Sequence, residues 1–170
     1  MDPLIIFGWS EIMLRLSGAV VIGAVLGINR ELQGKPAGLR TNSLVALGAA
    51  LVTLASIGVS SGGSAGHVPD GNAVSRVVQG IITGVGFIGA GVIMRDNIST
   101  RVHGLTTAAT IWISAALGIL CGAGIWSAAL IGTSLTLMVL IVGGPFERFV
   151  HKHCPRLTEP SSNEDPKPPC

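Results

Sequence analysis

The residues best equipped for chemistry in this chain come in two copies. Arg30-Glu31 and Arg95-Asp96 each set a guanidinium beside a carboxylate. Gly38-Leu39-Arg40-Thr41 begins seven residues after Glu31, and Gly104-Leu105-Thr106-Thr107 begins eight after Asp96. Each phrase then runs into an apolar stretch. Gly38 and Gly104 permit a turn that other residues resist. Leu39 and Leu105 return the chain to the apolar layer. Thr41 and Thr107 are placed to cap the next helix, whose start carries a partial positive charge. Glu31 and Asp96 suit that helix start, or Arg40 and Arg101. Arg30 is also set to meet Asp96, and Arg95 to meet Glu31, across a repeat axis. Two readings stay open. The charges hold the hairpins together, or Arg30, Glu31, Arg40, Thr41, Arg95, Asp96, Arg101, Thr106 and Thr107 contact a partner or an anion.

Catalytic chemistry finds little support. No nucleophile–base set and no metal-ligand set stands out, so no catalytic residue, metal or cofactor is expected. The three cysteines, Cys121, Cys154 and Cys170, form no CxxC. His151-Lys152-His153-Cys154 reads more simply as a basic segment after a membrane helix than as a metal site. Gly84–Gly91, "GVGFIGAG", looks like a nucleotide loop but lacks the preceding strand.

The elements that must position the repeated residues are membrane helices. Charged residues make up only 12% of the chain, and the mean hydropathy is +0.63. A soluble domain of 170 residues cannot hide that much apolar surface. Five apolar stretches, about 12–29, 42–59, 77–94, 105–121 and 125–142, approach the roughly 20 residues that cross a bilayer. Runs this long without alternation are helices, since lipid tolerates only helices and closed barrels. The expected fold is an all-α membrane protein of five transmembrane helices, the first four forming a parallel two-hairpin repeat. Residues 1–11 form a short outer segment, 12–143 the membrane domain, and 144–170 a basic, then Pro-rich tail expected to be disordered. Nine of the 11 Lys and Arg residues fall in the loops after spans one, three and five. The positive-inside rule therefore sets the N-terminus out and the C-terminus in. The first residues lack the basic start of a signal peptide, so the first helix is expected to remain as an anchor. A net charge of +2 suggests no nucleic-acid partner.

The chain has 24 glycines, which suits helices closely packed in lipid. Gly80, Gly84, Gly86, Gly89 and Gly91 in span three, with Gly23 and Gly27 in span one, are expected to let these two helices pack together. Arg15, four residues after Glu11, is expected to snorkel to the outer surface. Trp9 and Trp126 fit an outer aromatic belt, and Trp112 is expected to pack inside. No ionisable residue lies near the middle of spans two to five. This argues against a charged midplane ion site, although backbone carbonyls could still line a pore.

"AGLRTNSLVALGAAL", "GVGFIGAGVIMR" and "GLTTAATIWISAALGI", in that order, resemble the membrane domain of the MgtC/SapB family over roughly residues 10–145. The resemblance implies a multi-pass protein of the bacterial inner membrane. The family's MgtC branch is associated with growth under magnesium limitation and survival inside host macrophages, in a role viewed as regulatory. The family's motifs map onto Arg30-Glu31, Ala37 through Thr41, the Gly-rich helix ending at Arg95, and Gly104 through Ala109. The chain departs from MgtC-type virulence factors at Thr106, where they have Asn, and at Ile113, where they have Cys. The expected match is to the membrane domain, without the C-terminal soluble domain of those factors. The expected function is regulation of other membrane proteins, with lipids, another membrane complex and a second copy as partners. The alternative is a small oligomeric Mg²⁺ or other ion transporter or channel.

Overall fold

The computed structural model describes residues 7–61, 70–95 and 102–153, with side chains for all of these except 94, 95, 102 and 144–153. Five helices carry the chain: α1 (Trp9–Leu32), α2 (Leu39–Ser60), α3 (Gly71–Val92), α4 (Leu105–Ala123) and α5 (Trp126–His153). All five are long and apolar enough to cross a membrane. The chain divides into two units, Met1–Leu137 and Met138–Cys170, the boundary falling within α5.

The expected spans are all helices, with shifted ends. Helix α3 starts six residues early because Asp70 caps it, its side chain accepting from Asn72 N–H at 3.0 Å. It stops at Val92, where the chain turns extended. Met94–Arg95 then pairs antiparallel with Val102–His103, a short ladder not expected from the sequence. Helix α5 runs ten residues past the expected boundary at 143. Its apolar face ends there but its helical backbone does not. Helix α1 ends at Gly34 (φ 63°) and α4 at Gly124 (φ 76°). In both, the next residue's N–H returns to a carbonyl five back, Lys35 to Arg30 and Ile125 to Leu120.

Within the first unit, α2 and α4 form the central pair, and α1 and α3 each pack against both. This pattern is unchanged when the hairpins α1–α2 and α3–α4 are exchanged, as a two-fold repeat requires. The close contacts also repeat at a 66-residue offset. Gly23 faces Asn42, and Gly89 faces Ala108. Gly27 meets the Gly38–Leu39 backbone, and Ile93 meets Gly104.

Packing in lipid gains nothing from hiding apolar surface, so close backbone approach and hydrogen bonds must hold the helices. The closest approach lies between α2 and α4. Gly118 sits against the carbonyl of Ala46, and a Cβ on Gly122 would lie 2.6 Å from Ala50 O. This Gly118/Gly122 stripe was not among the expected packing residues. Gly23 and Gly27 do pack closely, but on α2 rather than on span three. Among the described residues, only Gly89 of the α3 glycines has an atom within 4 Å of where a Cβ would lie. A Cβ there would lie 3.5 Å from the Ala108 Cβ, while Gly80, Gly84, Gly86 and Gly91 face open space. Helices α1 and α3 are set apart by the α2–α4 pair, which explains the difference. Gly80 and Gly84 instead line an apolar groove of about 480 Å³ between α2 and α3, with Gly48 and Ala49 opposite. Trp112 is about half-exposed on α4 rather than packed inside, whereas Trp126 lays its ring on Gly18.

Candidate functional site

The repeated phrases form two hairpin mouths at one end of the bundle, where α1 ends and α2 and α4 begin. Neither mouth uses its threonine as expected. The N-cap positions are Gly38 and Gly104, and neither helix start has a cap bond from its own side chain. Thr41 and Thr107 lie one turn further in, too deep to cap.

At the α2 mouth, Glu31 takes the capping role. Its carboxylate accepts from Leu39 N–H at 3.2 Å. The acid thus meets the positive end of α2, one of the two uses its spacing allows. Gly38 lies close under this carboxylate: a Cβ would come within 2.9 Å of Glu31 Oε2, the movable end of a flexible side chain. The left-handed residue is instead Ala37 (φ 58°). Asn42, fully buried, ties this turn down: its amide donates to Ala37 O at 2.6 Å and Gly38 O at 3.0 Å. Its own carbonyl accepts from Ser114 Oγ on α4 at 2.8 Å. Arg40 is exposed.

The α4 mouth is built differently. Gly104 is left-handed (φ 92°), and a Cβ there would strike the Val92 carbonyl. Arg30, from the other hairpin, donates from Nη2 to Thr107 Oγ1. Arg30 is 3% exposed and Thr107 2%. The lean of helical side chains toward the helix N-terminus explains this burial. Arg30 is near the C-terminal end of α1, so its stem points back into the bundle. Its Nε is buried with no hydrogen-bond partner among the described residues. Among the described residues no carboxylate pairs with it. Thr106 is exposed. Asp96 and Arg101 lie outside the described residues, and of Arg95 only the backbone is described, so the expected Arg30–Asp96 and Arg95–Glu31 pairs lie there too.

At the far end of the bundle, Arg15 does not simply snorkel. It donates to Gly122 O on α4 at 2.8 Å, bonds Glu11 and stacks 4.5 Å from the Phe7 ring centroid. Arg15 and Arg30 stand fifteen residues apart on α1, as do their acceptors Gly122 and Thr107 on α4. An antiparallel helix pair in one register is therefore bonded at both ends, about 22 Å apart along the axis.

Sequence reasoning singled out Arg30, Glu31 and Thr107, which take part in bonds at the mouths, but not Asn42, Ser114 or the inward turn of Arg15. A signal was present. Thr107, Ser114 and Cys121 recur every seven residues, and Gly118 follows Ser114 by four, so small and polar residues mark one face of α4. Ser43 Oγ is also buried without a partner. Among the described residues no three His, Cys, Asp or Glu side chains gather as a metal site.

Known proteins share this chain's sequence at length. It is 48% identical to protein SrpB of Synechococcus elongatus over 78% of this chain and 74% of that protein. An uncharacterized Synechocystis protein is 40% identical over 89% of this chain and 60% of its own length. Protein MgtC of Salmonella typhimurium is 43% identical over 76% of this chain, which spans about half (51%) of that relative. No solved structure matches. The MgtC family pattern matches residues 16–149, which include both hairpin mouths, the α2–α4 pair and the Arg30 contact, and the chain belongs to that family.

Proposed function

We propose that this multi-pass membrane protein sits in the bacterial inner membrane, N-terminus out, and acts without catalysis as a regulator of other membrane proteins. Adaptation to magnesium limitation or a related envelope stress is the condition it serves, as its resemblance to the MgtC branch suggests. One observation carries the mechanism. Three polar side chains set between the described spans bond helix to helix, Arg15 to Gly122, Arg30 to Thr107 and Asn42 to Ser114. They brace a scaffold, whereas an ion path would need polar groups turned toward a passage. Glu31 and Arg40 remain exposed at the loop end, which this orientation makes cytoplasmic, ready for a partner's charged loop. Lipids and a second copy complete the partners in this reading.

A second reading, a small oligomeric Mg²⁺ transporter or channel, draws on the hairpin symmetry and the glycine-lined α2–α3 groove. One experiment separates them. A deletion strain is complemented with wild type or Arg40→Ala, and growth and Mg²⁺ uptake are followed in low magnesium. The regulator reading expects wild type alone to restore growth, with uptake equal in all strains. Mg²⁺ flux through the purified protein in liposomes would reverse the choice.

A further inference from the structure

Helix α3 carries a face that suits lipid poorly. Of the four helices of the repeat it is the least covered, with 11% of its span buried against 28%, 33% and 50% in α1, α2 and α4. An exposed helix in a bilayer ordinarily turns large apolar side chains outward, as α5 does with Leu130, Ile131 and Leu135. On α3 the exposed Ser75, Gln79, Thr83, Gly86 and Ala90 share one side instead. None of the five is large and apolar. The spacings from Gln79 to Ala90 are four, three and four, the seam of a left-handed helix pair. This seam is not the groove beside α2. Gly84 and Ile88, which line the groove, lie on the opposite flank of α3 by helical spacing.

Gln79 decides what the seam meets. It stands about 12 Å along a helix about 33 Å long. Among the described residues its side-chain amide has no hydrogen-bond partner, while its backbone carbonyl accepts from the Thr83 hydroxyl at 2.8 Å. Lipid offers an amide neither donor nor acceptor. A partner at that depth must bring both, and a second amide does. A second copy in the same membrane has the same topology, so its α3 runs parallel and a two-fold axis sets Gln79 against Gln79. We propose that two copies of this chain pair through α3, seam to seam, the Gln79 amides bonded across the axis. Gly86 and Ala90 let the two backbones close on each other. The pairing rests on the second copy named among the partners above and on nothing else in that reading, so its failure leaves the regulator reading to its own growth test.

The test uses the full chain with Cys121, Cys154 and Cys170 replaced by alanine. Single cysteines are introduced in turn, and bacterial membranes are oxidised with copper phenanthroline. Thr83→Cys and Ala90→Cys should form disulfide-linked dimers, and Ile88→Cys should not. Sedimentation equilibrium of the purified chain in pentaethylene glycol octyl ether then measures the dimer. Gln79→Leu should weaken it about fivefold or more, the worth of a reciprocal amide pair between membrane helices. Gly86→Leu should weaken it too, by holding the backbones apart, whereas Gly84→Leu on the other flank should leave it unchanged. These substitutions fall on exposed positions, so the fold of the single chain is kept. A dimer equally strong in Gln79→Leu overturns the proposal, as does cross-linking through Ile88→Cys in place of the seam. A chain that stays monomeric in both assays overturns it, as does Thr83→Cys linking to a different protein and never to its own copy.

Discussion

The mouths of α2 and α4 share one phrase, Gly-Leu-x-Thr, and use it differently. At α2 the glycine lies under a carboxylate, the threonine caps nothing, and the left-handed residue is Ala37, one position earlier. At α4 the glycine is itself left-handed, and the threonine anchors an arginine from the other hairpin. The position after the phrase diverges as well. Asn42 ties down the α2 turn and reaches Ser114, while its counterpart Ala108 packs on Gly89. A duplicated sequence has kept the helix packing twice, while the turns and their polar contacts differ between the copies. Both mouths are tied across hairpins, the α2 mouth through Asn42 and Ser114 and the α4 mouth through Thr107 and Arg30, but only at α4 does the threonine of the phrase make the tie.

The glycines should separate the mouths most strongly. Gly104→Ala must hold a Cβ in the left-handed region and push back the Val92 carbonyl. It should cost about 2–4 kcal/mol, combining a backbone penalty of about 1–2 kcal/mol with backbone collision. Gly38→Ala has an ordinary φ of −80° and meets the end of a flexible glutamate. It should cost under about 1 kcal/mol. Reversible unfolding in mixed micelles, followed by tryptophan fluorescence, measures both. Equal costs would mean that the two turns are alike after all.

The charged residues give the next largest contrast. Arg30→Gln removes a buried charged donor and leaves Thr107 without its partner, a loss of about 1.5–3 kcal/mol. Glu31→Gln keeps an acceptor for Leu39 N–H at an exposed site, so under about 1 kcal/mol is expected. Should Glu31→Gln prove the costlier, its carboxylate must hold more than the start of α2.

How much of this could be read beforehand follows from what each signal depends on. The five spans were legible because hydrophobic length alone decides what crosses a bilayer. The repeat was legible because Gly38 and Gly104 stand out by type. Their different roles were not, since φ at one glycine depends on the loop that feeds it. The glycines of α3 misled because small residues show only that close packing is possible. Gly118 and Gly122 satisfy that possibility against Ala46 and Ala50, while Gly80 and Gly84 open onto a groove. Arg15 misled because a charge near a span end is ordinarily drawn to water. Here the Gly122 carbonyl lies within reach in the last turn of α4 and holds it.

The threonines test whether the phrase's threonine makes a cross-hairpin bond on one side only. Thr107→Val keeps the shape but removes the acceptor for Arg30, and should cost about 1–2 kcal/mol. Thr41→Val, half-exposed and capping nothing, should stay within about 0.5 kcal/mol. Combined with Arg30→Gln, Thr107→Val should be strongly non-additive, as residues sharing one bond are. Matching costs at both threonines would show that Thr41 carries a bond equivalent to that of Thr107, and the division of labour would fail.

The smallest effect has the opposite sign. Ala37 holds φ at 58°, a conformation that costs a residue with a Cβ about 1–2 kcal/mol. Glycine adopts it freely but loses more chain entropy on folding, about 0.5–1 kcal/mol relative to alanine. The strain relieved exceeds the entropy lost, so Ala37→Gly should stabilise the protein by a few tenths to about 1 kcal/mol. Two contacts limit the gain. Ala37 packs at the edge of the cluster around Ile111 and Ala115, and Asn42 holds its carbonyl at 2.6 Å. The hydrogen bond survives the substitution because it uses backbone oxygen, so only the Cβ packing is lost. Asn42→Ala supplies the control. With the turn no longer tied, the alanine is free to leave the left-handed region, and Ala37→Gly should then gain less than in the wild-type background. If Ala37→Gly instead destabilises by the same amount in both backgrounds, the Cβ contact outweighs the strain. The α2 mouth would then be set by packing, as the α4 mouth is set by its glycine.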